Sequence, residues 1–317
     1  MLLTLFALLF GSVFGFLGYL NWKVSDNVDS VLVIPTTEIS VPEGAIETEI
    51  PKTGVGKNIL VVGSDTRDGG ASGRSDVIVL IHIPEDAKKI QLIHFPRDLF
   101  VSIPGHGKNK INAAYAFGGT ALLVQTLQNL LGVKIDHIAQ TDFEGFKAMT
   151  DAVGGVRVYA EEASGPGGNG GPYVINQGWN DLNGEQALAF VRERYQLSEG
   201  DISRGRRQMA FIKALMTKAL SKETITNPIK VAKFTDAATE NLSVDKGFTT
   251  KVMREYALSL RNIRSGDVIF ITAPFTGFGM DPTAGSIDIV DEPGMLALGE
   301  ALRTDAMDTY EDVSVIP

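Results

Sequence analysis

Asn58-Ile-Leu-Val-Val-Gly63, Asp76-Val-Ile-Val-Leu-Ile-His-Ile83 and Lys89-Ile-Gln-Leu-Ile-His-Phe95 decide the fold. Each is a short apolar or β-branched run bounded by turn residues, which reads as a strand, and Pro84 and Glu85 mark the turn between the second and third. Downstream the period changes. Leu122, Leu123, Thr126, Leu127, Leu130 and Leu131 keep helical spacing, and Gly132 stops that helix. His137 to Thr141 is a further strand leading into Asp142, which is expected to cap a helix running through Phe146 and Met149 to the Gly154-Gly155 break. Val156 to Tyr159 then returns to strand. Gly165 to Gly171 reads as a surface loop, and with no helix after it a phosphate-cradling P-loop is excluded. Helices resume over Gly184 to Arg192 and Ser203 to Ser221. Strands and helices interleaved in this way predict an α/β fold, a layered α-β-α domain with a central mixed sheet, over residues 58–276.

The flanks differ in kind. Met1 to Leu20 carries no charged side chain and is long enough to cross a bilayer, with Trp22 and Lys23 at the interface, so residues 1–22 are expected to form one N-terminal transmembrane helix. A cleaved signal peptide is the competing reading, but it wants a basic start and a small-x-small cleavage site, and neither is clear. Residues 23–57 are polar and β-branched with Pro35, Pro42 and Pro51, and read as a stalk. Residues 277–317 hold nine acidic residues against the single Arg303, with Pro282 and Pro293 interrupting. They are expected to be an acidic C-terminal tail, with at most a short helix at Met295 to Leu302.

Composition narrows the chemistry. The chain has 317 residues, 44% of them apolar, no cysteine, and a formal net charge of -9. Disulfides, thiolate nucleophiles and zinc-thiolate sites are excluded, and the acidic balance argues against nucleic acid as a partner. Against that background five of the thirteen arginines fall between Arg192 and Arg207. A guanidinium fork pairs with two phosphate oxygens at once, so phosphate or pyrophosphate is the first ligand to consider. The bland alternative is a solvated helix face, with Arg206 and Arg207 pairing with Glu193 and Glu199. Arg192 and Arg194 diverge on a continued helix and can converge only if the backbone leaves the helix there. Arg204 and Gln208 are four apart, sharing one face near a helix N-terminus, where free N–H groups favour an anion. Asp201 is expected to cap that helix or to orient an arginine rather than to serve as a catalytic base.

Other charged residues collect at strand ends. Asp65 stands just past the first strand and Asp76 opens the second. Two carboxylates so placed can share a hard cation such as Mg²⁺, whose other positions hold water and substrate phosphate. The alternative is a turn cap and a solvated strand terminus. Arg97 and Asp98 close the third strand, and Lys110 begins the next element. In open α/β sheets ligands gather at strand ends, which makes this convergence more than scatter.

These motifs resemble the LytR-CpsA-Psr family. The resemblance covers about Asn58 to Leu220 and rests on Gly63-Ser64-Asp65, Arg74-Ser75-Asp76, Pro96-Arg97-Asp98, Lys110-Ile111-Asn112-Ala113-Ala114-Tyr115, Asp142-Phe143-x-Gly145-Phe146, Gly154-Gly155-Val156, Leu182 through Arg192-x-Arg194, and Gly200-Asp201-x-x-Arg204-x-x-Arg207-Gln208, in that order. Departures are small: Met209 stands where many relatives have a second Gln, and Gly205 loosens the arginine helix. The resemblance implies a membrane-anchored phosphotransferase of Gram-positive envelopes, with its catalytic domain outside the cell membrane. It would take a glycopolymer from a polyprenyl-pyrophosphate carrier and join it to peptidoglycan by a phosphodiester, with Mg²⁺ as cofactor. By position Asp65 and Asp76 would hold the metal, while Arg74, Arg97, Lys110, Arg192, Arg194, Arg204 and Gln208 would clamp the pyrophosphate. Asp98 would orient the incoming hydroxyl or an arginine. Three other readings stand beside it: a polyprenyl-phosphate carrier or sensor without chemistry, a pyrophosphate hydrolase, and a transcription regulator, the last disfavoured by the acidic charge and the lack of a basic helix-turn-helix.

Overall fold

The computed structural model describes residues 18–19, 22–23, 54–64, 75–240 and 242–310. In chain order the elements are β1 (Lys57–Ser64), β2 (Ser75–Ile83), β3 (Ile90–His94), β4 (Leu99–Ile103), β5 (Gly107–Lys110), α1 (Ile111–Leu131), β6 (His137–Thr141), α2 (Phe143–Ala152), β7 (Val156–Ala160) and β8 (Gly178–Leu182). There follow α3 (Gly184–Arg192), α4 (Asp201–Ala219), α5 (Lys222–Ile225), α6 (Pro228–Glu240), β9 (Leu242–Val244), α7 (Thr250–Ser259), β10 (Val268–Thr272), β11 (Phe275–Asp281), β12 (Gly285–Val290) and α8 (Glu292–Arg303). They separate into two compact units, one holding Glu144–Leu242 and the other holding Leu32–Phe143 with Ser243–Pro317. The limit expected at residue 276 falls inside β11, and the folded elements run on past it.

The unit containing β1 is built on a mixed six-stranded sheet in the order β10-β3-β2-β1-β6-β9. β1 pairs antiparallel with β2 and parallel with β6, and β3 pairs antiparallel with β2 and parallel with β10. The mixed α/β architecture expected from the sequence is thus present. β3 is buried at every position, so its sequence shows no alternation of buried apolar with exposed polar residues, and its two polar members, Gln91 and His94, are buried with the rest. A second sheet, β11-β12-β4-β5, carries parallel pairing of β12 with β4. The core between these layers gathers Leu60, Ile78, Leu80, Ile93, Phe95, Leu99, Leu123, Leu127 and Phe275. α1 starts at Ile111, earlier than its leucine spacing indicates, and is kinked at Gly118 and Gly119, whose backbones are not helical. Its end is the expected one, with Gly132 left-handed at the cap.

Residues 277–303 are not a tail. Asp291 caps α8 by accepting from Gly294 N–H, and Pro293 sits in the first turn, where a missing N–H costs nothing. Met295, Leu298 and Leu302 recur at helical spacing and join the same core as Leu123, Leu127 and Leu131. The acids that made this stretch look disordered have local work. Asp281 accepts from Thr283 and Ala284 in the β11–β12 turn, Asp305 holds buried His82, and Lys89 pairs with Asp308.

The other unit packs β7 and β8, an antiparallel pair, against α3 and α4 over a core of Val153, Val156, Val158, Leu182, Phe190, Val191 and Phe211. β7 alternates strictly, with Val156, Val158 and Ala160 inward and Arg157 and Tyr159 outward. Lys23 pairs with Asp236 of α6 at 2.7 Å. Among the described residues no helix is long and apolar enough to cross a membrane. The expected anchor lies outside them except at residues 18–19 and 22–23, as do most of the stalk and residues 311–317.

Candidate functional site

In the unit built on the six-stranded sheet, Pro96-Arg97-Asp98 makes the bend between β3 and β4. The Arg97 carbonyl accepts from Asn112 N–H at 3.2 Å and the Asp98 carbonyl from Asp288 N–H at 2.9 Å, so the bend is fastened to α1 and to β12. Phe100 pairs with Lys110 in the β4–β5 register, which carries Lys110 back to the same place. Lys110 Nζ lies 3.1 Å from one Asp98 oxygen and Arg97 Nε 3.7 Å from the other. Asp98 is 8% exposed. A nearly buried carboxylate between two cations orients them rather than standing free as a base. Tyr115, wholly buried on the first straight part of α1, accepts from Gln140 Nε2 of β6 at 3.0 Å.

Asp65 and Arg74 lie outside the described residues, and of Asp76 only the backbone is described, in β2. That backbone is informative. β1 and β2 run antiparallel with Ser64 opposite Ser75 and a register shift between Gly63 and Ser64. The chain leaving β1 and the chain entering β2 are therefore neighbours at one end of the sheet. Ser75 is fully buried, and its Oγ has no hydrogen-bond partner among the described residues.

In the other unit, Asn183 and Gln186 form a reciprocal capping box that starts α3, which explains the Leu182-Asn183-Gly184-Glu185-Gln186 motif as a helix start. α3 stops at Arg192, and Glu193 turns the backbone to an extended conformation, so Arg192 and Arg194 do leave the helix between them. Glu193 is completely buried. Its carboxylate accepts from the backbone N–H of Gly170 at 2.7 Å, of Arg194 at 2.9 Å and of Gln196 at 3.1 Å, tying the glycine-rich loop to the arginine segment. Gly168 in that loop has a φ of 57°, and a side chain there would come within 2.6 Å of Glu193 Oε2. Glycine is required at this turn on both counts. Arg194 stacks over the Tyr195 ring at 4.6 Å and donates to its hydroxyl at 2.7 Å, while Arg192 is exposed.

Gly200, not Asp201, is the cap residue of α4. Arg204 and Gln208 are both buried on one face of its first turns, and Gln208 Nε2 donates to the Val191 carbonyl at 3.5 Å, beside Arg192. The remaining arginines are structural. Arg206 pairs with Glu161 and Glu199. Arg207 donates to Ser164 Oγ and the Glu162 carbonyl and lies over the Phe190 ring at 4.8 Å. Burial pulls its pKa below the usual guanidinium value, against the opposing charges of Glu193 and Glu162.

Residues 35–302 match the LytR_cpsA_psr family. The chain belongs to that family. This LytR-CpsA-Psr chain is 34% identical over 271 residues to "Probable cell wall biosynthesis protein LcpB" of Corynebacterium glutamicum, covering 81% of this chain and 63% of that protein. It thus spans less than two thirds of that curated relative. It is 31% identical over 310 residues to the polyisoprenyl-teichoic acid–peptidoglycan teichoic acid transferase TagU of Enterococcus faecalis, covering 94% of this chain and 96% of the relative. The crystal structure of B. subtilis TagV superposes with a TM-score of 0.66 at 26% identity, covering 80% of this chain and 97% of that one.

Two residues of the LytR-CpsA-Psr chain escaped sequence reading. Glu193 sits between two arginines and reads as a surface partner for them, and only the glycine loop upstream hints that its partner is backbone. Gln140 is an apolar strand's lone amide, and nothing local points it to Tyr115.

Proposed function

We propose that this chain is a membrane-anchored phosphotransferase that moves a glycopolymer from a polyprenyl-pyrophosphate carrier to peptidoglycan, with its catalytic domain on the outer side of the cell membrane. The observation that carries the reading is the set Arg97, Asp98 and Lys110, two cations held on a nearly buried carboxylate in a chain of net charge -9. Family membership and the name of the E. faecalis relative support the substrate class.

In the reaction an acceptor sugar hydroxyl attacks the phosphorus that bears the glycopolymer. A new P–O bond to the acceptor forms, the bridging P–O bond of the pyrophosphate breaks, polyprenyl phosphate leaves, and the hydroxyl proton passes to solvent or to a basic oxygen nearby. Little covalent chemistry falls to the protein, so its task is positioning and charge stabilisation. Arg97 and Lys110 would bind phosphate oxygens, with Asp98 setting their directions, and Arg192, Arg194, Arg204 and Gln208 would bind phosphate oxygens from their own unit. Arg74 would do the same. Asp65 and Asp76 would hold a hard cation: in the sequence each follows a serine, Ser64 and Ser75 are opposite one another in the β1–β2 register, and buried Ser75 Oγ is a polar atom that a hydrated ion's shell would satisfy. When bound there, Mg²⁺ would neutralise charge on the pyrophosphate.

The test is incubation of the full chain with a polyprenyl-pyrophosphate-linked oligosaccharide and a peptidoglycan oligomer, with and without EDTA. Metal-dependent release of polyprenyl phosphate together with a phosphodiester-linked glycan, lost in Arg97→Ala and Asp76→Ala, is the expected result. Lipid binding without either product would mark a carrier, and free sugar phosphate without coupling would mark a hydrolase.

A further inference from the structure

The outward face of the β7–β8 pair is polar and aromatic in a pattern that packing does not require. Its inward face supplies Val156, Val158, Ala160 and Leu182 to the core. Outward, Tyr159 stands opposite Trp179 and Arg157 opposite Asp181 in the strand register. Tyr159 is 50% exposed and Trp179 63% exposed. The two rings meet edge to face with centroids 5.4 Å apart, and the Arg157 guanidinium lies 5.4 Å from the indole centre. Both rings are at least half exposed, yet each is fixed by the other and by a strand, so both offer apolar area at little entropic cost. Beyond Tyr159 a shallow open cleft of about 30 Å³ continues the surface, lined by Glu161, Glu162, Ser203, Arg206, Arg207 and Ala210. Gln177, also exposed, donates to the Glu161 carbonyl at the rim.

We infer that this face binds a glycan strand of alternating N-acetylated hexosamines, the acceptor's own backbone. A pyranose ring presents a flat patch of C–H groups matching an indole face, while its hydroxyl and amide groups point outward in the ring plane. Trp179 and Tyr159 supply the faces, and Arg157, Asp181, Glu161 and Gln177 supply hydrogen-bonding groups around them. Charge selects among sugars and surfaces. On this face Asp181, Glu161 and Glu162 stand against Arg157, Arg206 and Arg207, and Arg206 is paired with Glu161 and Glu199, so no cationic excess is left to select an anionic polymer or an anionic lipid headgroup and a neutral strand is admitted. Two ring faces and a small cleft also fall well short of the roughly 800 Å² per partner of an ordinary protein interface. The choice of peptidoglycan among neutral glycans rests on the function proposed above; the aromatic platform does not.

The chain has two tryptophans, so in a Trp22→Phe full-length chain Trp179 alone emits. Titration in detergent with tetra-N-acetylchitotetraose and with a lysozyme-released peptidoglycan saccharide is expected to shift or quench that emission to saturation. Tyr159→Ala and Asp181→Asn, each checked for unchanged melting, should weaken both responses about tenfold, equivalent to about 1.4 kcal/mol. In the transfer reaction Trp179→Ala should raise KM for the acceptor and leave KM for the lipid-linked donor unchanged. No response to either saccharide, a response to chitotetraose alone, or a response only to phosphatidylglycerol vesicles overturns the inference. So does active transfer with an unmoved acceptor KM. Saccharide binding in a chain that transfers nothing supports the platform while refuting the proposed function.

Discussion

Asp98 faces Lys110 at 3.1 Å and Arg97 at 3.7 Å, so its charge decides where both cations point. Arg97→Ala is expected to lower the transfer rate by about 10²–10³-fold, the usual loss when one preorganised charge-stabilising group is removed. If Asp98 acts through Arg97, Asp98→Asn will be milder, and the double variant will be no worse than Arg97→Ala alone. A rate cycle over the four chains measures this, and additive losses would instead give Asp98 a direct role. Asp245 gives a pH dependence of a different kind. Burial pushes its carboxyl up, but His137 and the backbone N–H groups of Ile138 and Gly247 outweigh burial and hold it below 3.8. A depressed folded value means that the stability Asp245 contributes is present above 3.8 and lost as the pH falls through its lower folded value. Urea titrations at neutral pH and near pH 3 should show Asp245→Asn destabilising the chain more at neutral pH.

At the scale of elements, the tightest approach is between α8 and the end of α1. A side chain built at Gly299 would stand 1.9 Å from the Leu131 carbonyl oxygen, which belongs to backbone and cannot swing away. Gly299→Ala is expected to cost about 3 kcal/mol or more by forcing the helices apart, read from urea unfolding. Which elements the sequence revealed follows from how each signals itself. β1, β2 and β3 are apolar runs, and α3 carries a reciprocal cap and an apolar stripe, so both kinds were legible. β5, Gly107-Lys-Asn-Lys110, has no apolar residue, and β11 is interrupted by Gly277 and Gly279, so these edge strands show only through their pairing. α8 was discounted because acidic residues surround it, although its apolar spacing was readable. The grouping of Arg97, Asp98 and Lys110 could be expected from strand ends alone, and so could the pairing of Arg206 with nearby Glu199, whereas the partners Glu161 of Arg206 and the Glu162 carbonyl of Arg207 lie 45 residues away and no local pattern names them.

For the whole molecule, the C-terminal third is part of the frame. A chain ending at residue 276 would lack β12 and α8, stripping Met295, Leu298 and Leu302 from the core and unpairing β4 from β12. Such a truncation is expected to give no cooperative thermal transition for the sheet-bearing unit, against a clear one in the full chain, monitored by circular dichroism. The division into two units was not legible, because helices and strands alternate through both without a linker-like stretch of sequence. One topological fact carries a consequence for how the protein is made. β6 and β9 lie side by side in the six-stranded sheet, yet the whole of Glu144–Leu242 intervenes between them in the chain. As the polypeptide emerges, β1, β2, β3 and β6 come first and lie side by side, whereas β9 follows the intervening segment and β10 closes the opposite edge still later. Both margins of the sheet therefore wait on distant segments, and a half-synthesised chain presents β3 and β6 with open edges, a state in which holding factors and spacing from other nascent chains matter more than they do for the finished fold.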